Sequence, residues 1–176
     1  ETIEKFFGSS LAIDLRSNKS IAENGADLII GNNVLAHVPE INDFLKGVYI
    51  LLKDEGVASF EFPHLLQLLR GNQFDTIYHE HFSYFSLHSL IRICKKAGLK
   101  VFDVEELETH GGSLRLWLTK KQSKPLEESV ELILSKEEKE GLETIKSYKD
   151  LQFQAEKVKL DLLEFLVKSK KEGLRI

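Results

Sequence analysis

The order of apolar and polar positions divides the chain into alternating helices and strands. Ile3, Phe6, Phe7, Leu11, Ala12 and Leu15 fall at helical spacing within residues 1–17, and the polar stretch Arg16 to Asn24, closed by Gly25, predicts a loop. Ala26-Asp27-Leu28-Ile29-Ile30-Gly31 is the short apolar run of a buried parallel strand, stopped at Gly31-Asn32-Asn33. Beyond Pro39, Ile41, Phe44, Leu45, Val48, Leu51 and Leu52 recur at steps of three and four. They predict an amphipathic helix with Lys53 in its last turn and Gly56 after the turn beyond. A second strand spans Val57 to Phe62 and ends at Pro63. Strand, helix and strand within residues 26–62 make a βαβ unit, which is nearly always right-handed.

The pattern continues with a helix over Leu87–Ala97, with Ser86 as N-cap, Gly98 past its end, and Leu90, Ile91, Cys94 and Ala97 as its buried stripe. A strand over Leu99–Val104 follows. In the last strand, Ser113–Leu118, alternation puts Leu114, Leu116 and Leu118 on one face and Arg115 and Trp117 on the other. From Lys121 to Ile176 the chain is rich in Lys, Glu, Leu and Ser and predicts two helices broken near Gly141. Leu151, Ala155, Val158, Leu162 and Phe165 form a heptad-like seam that prefers a helical partner. The expected architecture is α/β: a core over residues 1–120 and a helical extension over 121–176.

Composition narrows the function classes. The chain has 176 residues, 42% hydrophobic and 30% charged, enough for a sizeable core. A net charge of −4 implies no basic face, which argues against a nucleic-acid partner. The single cysteine, Cys94, makes neither an internal disulfide nor a zinc site and fits a reducing cytoplasm. No apolar run approaches the ~20 residues that span a bilayer, so no membrane association is expected. The absence of methionine fits a piece of a longer protein.

Candidate chemistry gathers at three places. His37 follows the first strand, where ligands of open α/β sheets bind; it either faces a substrate or satisfies a loop carbonyl. Tyr78-His79-Glu80-His81 supplies acid, base and phenol within a segment joining a strand to a helix. A neutral imidazole accepts a proton, a carboxylate orients it, and a phenol donates to a developing oxyanion. Those parts suit proton removal beside a carbonyl. A buried aromatic hinge, or a metal site built from His79, His81 and a carboxylate, remains open on spacing alone. Thr109-His110-Gly111-Gly112-Ser113 reads as a connection turn, although its paired glycines also permit close approach to a ligand.

Several strings occur together in a specific order: Gly31-Asn32-Asn33-Val34-Leu35-Ala36-His37-Val38-Pro39, Glu61-Phe62-Pro63-His64, Asn72 through Ser86, and Thr109 through Arg115. In combination they closely resemble the nucleotide-sugar C-methyltransferase family, over roughly residues 1–120 and more weakly beyond. The resemblance implies a partial class I methyltransferase sheet, Rossmann-like, whose four strands end in an antiparallel one. It implies S-adenosylmethionine as methyl donor and a nucleotide-linked keto-sugar as acceptor, deprotonated beside its keto group. On this sequence it implies His81 as general base, with Tyr78 near the keto oxygen, Glu80 lining the same site and His37 across the cleft. It places the methionine end of the cofactor at Gly31, Asn32 and Asn33. The family's four-cysteine zinc module and glycine-rich cofactor loop do not occur in these residues, so weak or no cofactor binding by this slice alone is expected. The runner-up reading is a non-catalytic, partner-binding relative. Self-association through a bare sheet edge at Ala26–Ile30 or through the helical tail is also expected; a monomeric mass at high concentration would count against it.

Overall fold

The computed structural model describes residues 2–17 and 24–176. Four strands, β1 (Ala26–Asn32), β2 (Leu52–Pro63), β3 (Lys100–Leu107) and β4 (Ser113–Thr119), form one sheet in the order β1-β2-β4-β3. β1 and β2 are parallel, and β4 runs antiparallel to both of its neighbours. The chain is thus α/β, with the partial Rossmann-like sheet and antiparallel last strand expected from the sequence.

The helices are α1 (Ser9–Ser17), α2 (Ile41–Leu51), α3 (Leu65–Arg70), α4 (Leu87–Lys96), α5 (Glu128–Lys139) and α6 (Lys146–Lys171). Ala58, Phe60 and Phe62 of β2 and the three leucines of β4 are buried on one sheet face. They pack with Phe44, Leu45 and Val48 of α2, Leu87, Leu90 and Cys94 of α4, and Val130 and Ile133 of α5. Each such apolar side chain contributes about 1.5–3 kcal/mol through removal from water. Cys94 is a core residue here, and burial pushes its thiol pKa up to about 12, so it stays protonated.

The other face differs. Cross-strand neighbours Glu61, Arg115 and Glu105 form a polar ladder there, and Leu28 and Ile30 of β1 are 52% and 64% exposed. Among the described residues β1 is also the outer strand of the sheet.

Several sequence-based bounds shift. The first helix begins at Ser9 rather than near residue 1: the Asp43 carboxylate takes the Ser9 backbone N–H (3.2 Å) and hydroxyl, which fixes the first turn there. Arg16 and Ser17, expected in a loop, belong to α1; the rest of that loop up to residue 23 lies outside the described residues. Leu52 ends the second helix in an extended conformation (ψ 140°) and pairs with Ala26, so Lys53 lies in β2 and not in a helical last turn. β2 therefore begins five residues earlier than its apolar run suggests, and β3 extends to Leu107.

Ser86 caps α4 as expected: its hydroxyl accepts from the Ser89 N–H at 3.1 Å, and Gly98 follows the helix with φ 83°. The two tail helices part at Gly141 (φ 68°). On α6, Val158, Leu162 and Phe165 of the heptad-like seam are exposed. Among the described residues no helix is long and apolar enough to cross a membrane.

Candidate active site

The site lies at the carboxyl end of β1. Its backbone turns sharply at Asn33, whose φ of 54° is left-handed and whose N–H donates to the Glu61 carbonyl at 2.8 Å. A single 3-10 turn, Leu35–His37, follows, with Leu35 and Ala36 buried, which leaves His37 facing outward. The segment 74–86 comes back over this turn. Phe82 N–H donates to the Ala36 carbonyl at 2.8 Å, and His37 Nδ1 lies 2.9 Å from the Glu80 carbonyl. The two loops are therefore tied by one main-chain bond and by one that the His37 imidazole itself makes.

This tie brings His37 and His81 to 4.8 Å between ring centroids. Tyr78 lies against His81 at 4.3 Å, and Tyr84 meets it edge-on at 5.7 Å. His81 Nδ1 sits 2.9 Å from the Thr76 carbonyl and Nε2 sits 3.0 Å from the Tyr78 hydroxyl. A carbonyl only accepts, so Nδ1 carries hydrogen in both His37 and His81. In a neutral imidazole the lone pair is then on Nε2. For His81 that lone pair accepts from Tyr78.

Asn33, Ala36, His37, Pro63, Thr76, Tyr78, His81 and His110 line a cavity of about 150 Å³. His37 also borders a second, larger groove of about 620 Å³, whose walls include Phe6, Phe7, Leu11, Val34 and Val38. One imidazole thus stands between a small cavity and a wider groove.

Of the residues singled out from sequence, His37, Tyr78, His81 and Asn33 meet here. Glu80 joins through its backbone carbonyl; its side chain is exposed and is not part of the cavity wall. Asn32 is exposed at the strand end. Gly31 is buried for a packing reason: a Cβ there would lie 2.7 Å from the Phe60 ring. His79 is exposed, and among the described residues no three His, Cys, Asp or Glu side chains cluster as metal ligands. His110 was read as part of a turn, yet it lines the cavity. Its sequence signals are its place beside Gly111-Gly112 and within the string Thr109 through Arg115 that carries the resemblance.

The residues also fit a cationic methyl donor. Among the described residues no hydrogen-bond partner meets the buried Asn33 Oδ1, an acceptor suited to an ammonium group. The adjoining aromatic-lined groove is large enough for a nucleoside.

Two family models cover the chain: a methyltransferase domain over residues 9–104 and a C-methyltransferase C-terminal domain over residues 108–176. The C-methyltransferase NovU of Streptomyces niveus is 34% identical over 167 residues, covering 94% of this chain, which spans 39% of that relative's length. Among solved structures, a putative methyltransferase in complex with the Haloferax volcanii Trm112 activator is 11% identical, with a TM-score of 0.47 over 56% of each chain. A possible histamine N-methyltransferase from Thermotoga maritima is 19% identical, with a TM-score of 0.45 over 54% of this chain and 56% of that one. The chain belongs to the S-adenosylmethionine-dependent C-methyltransferase family.

Proposed function

We propose that this chain carries the acceptor half of an active site that methylates a carbon beside the keto group of a nucleotide-linked sugar. The observation that carries the reading is the pairing of His81 Nε2 with the Tyr78 hydroxyl inside a cavity shared with His37. Carbon methylation needs a carbanion, and a neighbouring ketone makes one accessible by spreading its charge onto oxygen. His81 has its Nδ1–H anchored on the Thr76 carbonyl, which supports the charged ring once a proton arrives at Nε2. An acceptor entering the cavity displaces Tyr78 from that nitrogen and frees its O–H for the keto oxygen. His37, which borders both cavities, would hold the opposite side of the enolate through a protonated Nε2.

S-adenosylmethionine, when bound, supplies the electrophilic methyl group. Asn33 would hold its methionine end, and Phe6, Phe7 and Val38 would shield its apolar part from water. With that group held there, His81 Nε2 would take the proton from the carbon beside the ketone, leaving a carbanion that Tyr78 stabilises through the keto oxygen. We place this activity in the cytoplasm, since a lone buried cysteine suits a reducing compartment.

The test uses the full-length natural protein with S-adenosylmethionine and a thymidine-diphosphate-linked 4-keto-hexose. Mass spectrometry should show one added methyl group. His81→Ala should lower turnover by about 10²–10⁴-fold while calorimetry shows unchanged cofactor binding. Turnover retained in the variant would remove His81 from the base role; no methyl transfer by the natural enzyme would remove the reading itself.

A further inference from the structure

Three non-glycine residues among those described have positive φ: Asn33 (54°), Asn72 (48°) and His110 (54°). Two of them, Asn33 and His110, line the same small cavity. Left-handed backbone is strained for a residue with a Cβ, and glycine removes that strain. The next two residues show that this chain uses glycine where only geometry matters: Gly111 and Gly112 have φ of 76° and 117°. Position 110 keeps histidine in the same stretch.

The loop is firmly held around it. Gln73 Nε2 donates to the Gly111 carbonyl at 2.8 Å, and the His64 N–H donates to the Gly112 carbonyl at 3.0 Å. Thr109 Oγ1 donates to Glu61 Oε1 at 3.0 Å, and Glu61 is itself buried and paired with Arg115. Among the described residues no hydrogen bond engages the His110 imidazole, which is exposed at the cavity rim. The surroundings therefore fix a strained backbone whose side chain contributes nothing visible to the fold.

The size of the cavity says what that side chain meets. At about 150 Å³ it is well below the volume that encloses a whole ligand. It takes the reacting ring of an acceptor, and the rest must leave past the rim. Resting on the acceptor chemistry proposed above, we infer that His110 is an acceptor-binding residue. Its imidazole hydrogen-bonds a sugar oxygen other than the keto oxygen and so selects how the sugar presents its reacting carbon.

The experiment compares the full-length natural enzyme with His110→Gly and His110→Asn. Glycine relieves the strain while deleting the contact, so its melting temperature should equal or exceed the natural one. Its KM for the nucleotide keto-sugar should rise about tenfold or more, with kcat within about threefold and cofactor affinity unchanged. Asparagine, which tolerates the left-handed region and keeps a polar group, should recover part of the loss. The inhibition constant of the nucleoside diphosphate lacking the sugar should not move; a rise would overturn the sugar contact in favour of a phosphate one. An unchanged KM in His110→Gly, or a lowered melting temperature with KM and kcat lost together, would overturn the inference. An inactive natural enzyme would instead sink the reading it rests on, and would show before any variant was made.

Discussion

His64 follows β2 and His81 lies in the loop that precedes α4, and each engages a partner at Nε2, yet their settings are opposite. His64 has a side chain only 1% exposed, and its Nε2 lies 2.7 Å from Glu137 Oε1. The same carboxylate accepts from the Leu87 N–H (2.6 Å) and the His88 N–H (3.0 Å) at the start of α4. A charge at a helix N-terminus, fully enclosed and bonded on both oxygens, fastens α5 to α4 and to the end of β2. His81 is only half-buried, borders a cavity, and has its Nε2 against the hydroxyl of an exposed tyrosine, Tyr78. On the function proposed above, what separates the structural histidine from the chemical one is whether its partner can be exchanged.

The largest test of that contrast is Glu137→Ala. It strands two helix N–H groups and a buried imidazole at once, and the expected loss is about 3–5 kcal/mol, read by denaturant unfolding. Glu137→Gln, which keeps one acceptor oxygen, should lose less. His81→Ala, by comparison, should change stability by no more than about 1 kcal/mol despite its effect on turnover. Equal stabilities for Glu137→Ala and His81→Ala would erase the distinction.

A smaller effect sharpens the comparison at the other wall of the cavity. Gly31 and Asn33 were grouped from the sequence as cofactor-binding, but Gly31 is where β1 crosses the Phe60 ring. Gly31→Ala should therefore destabilise by about 1–3 kcal/mol through overpacking. Asn33→Gly, which relieves a positive φ and deletes an orphaned oxygen, should leave stability equal or higher and act on ligand binding instead. A neutral Gly31→Ala would mean that Phe60 yields, and Gly31 would return to the ligand-binding group.

The sequence was most legible where one signal sufficed. Ser86 and Gly98 bounded α4 by cap chemistry, and strict alternation along Ser113–Leu118 separated the leucine face from Arg115 and Trp117. It failed where two signals coincide. Leu52 continues the helical stripe of α2 and also fits a strand, and the choice is made by pairing with Ala26, which no local window contains. Leu65–Arg70 is too short and too uniformly apolar for a period to be counted, so α3 was not foreseen. At the site, the Tyr78–His81 pair was readable because its members are three residues apart. His64 and Glu137 are 73 positions apart, and the strain at His110 is a property of φ. Neither leaves a mark on spacing.

Asp43 provides the smallest test, because it repeats the geometry of Glu137 without the burial. It too places a carboxylate at a helix start, taking the N–H and hydroxyl of Ser9 at the head of α1, but it is exposed. The Ser9 hydroxyl first, then the Ser9 N–H, hold its pKa below the ordinary carboxylate value. A lowered folded-state pKa contributes stability above the unfolded value, about 3.9, and loses it as pH falls through the folded one. Ser9→Ala should therefore raise the Asp43 midpoint toward the ordinary value, seen by carboxyl-carbon NMR titration, and weaken the acid dependence of stability below about pH 4. At neutral pH its melting temperature should barely change, since water replaces the lost bond at an exposed carboxylate. An unmoved midpoint would mean that the Ser9 hydroxyl does not govern Asp43. A large neutral-pH loss would mean that exposure does not separate this cap from the one Glu137 makes.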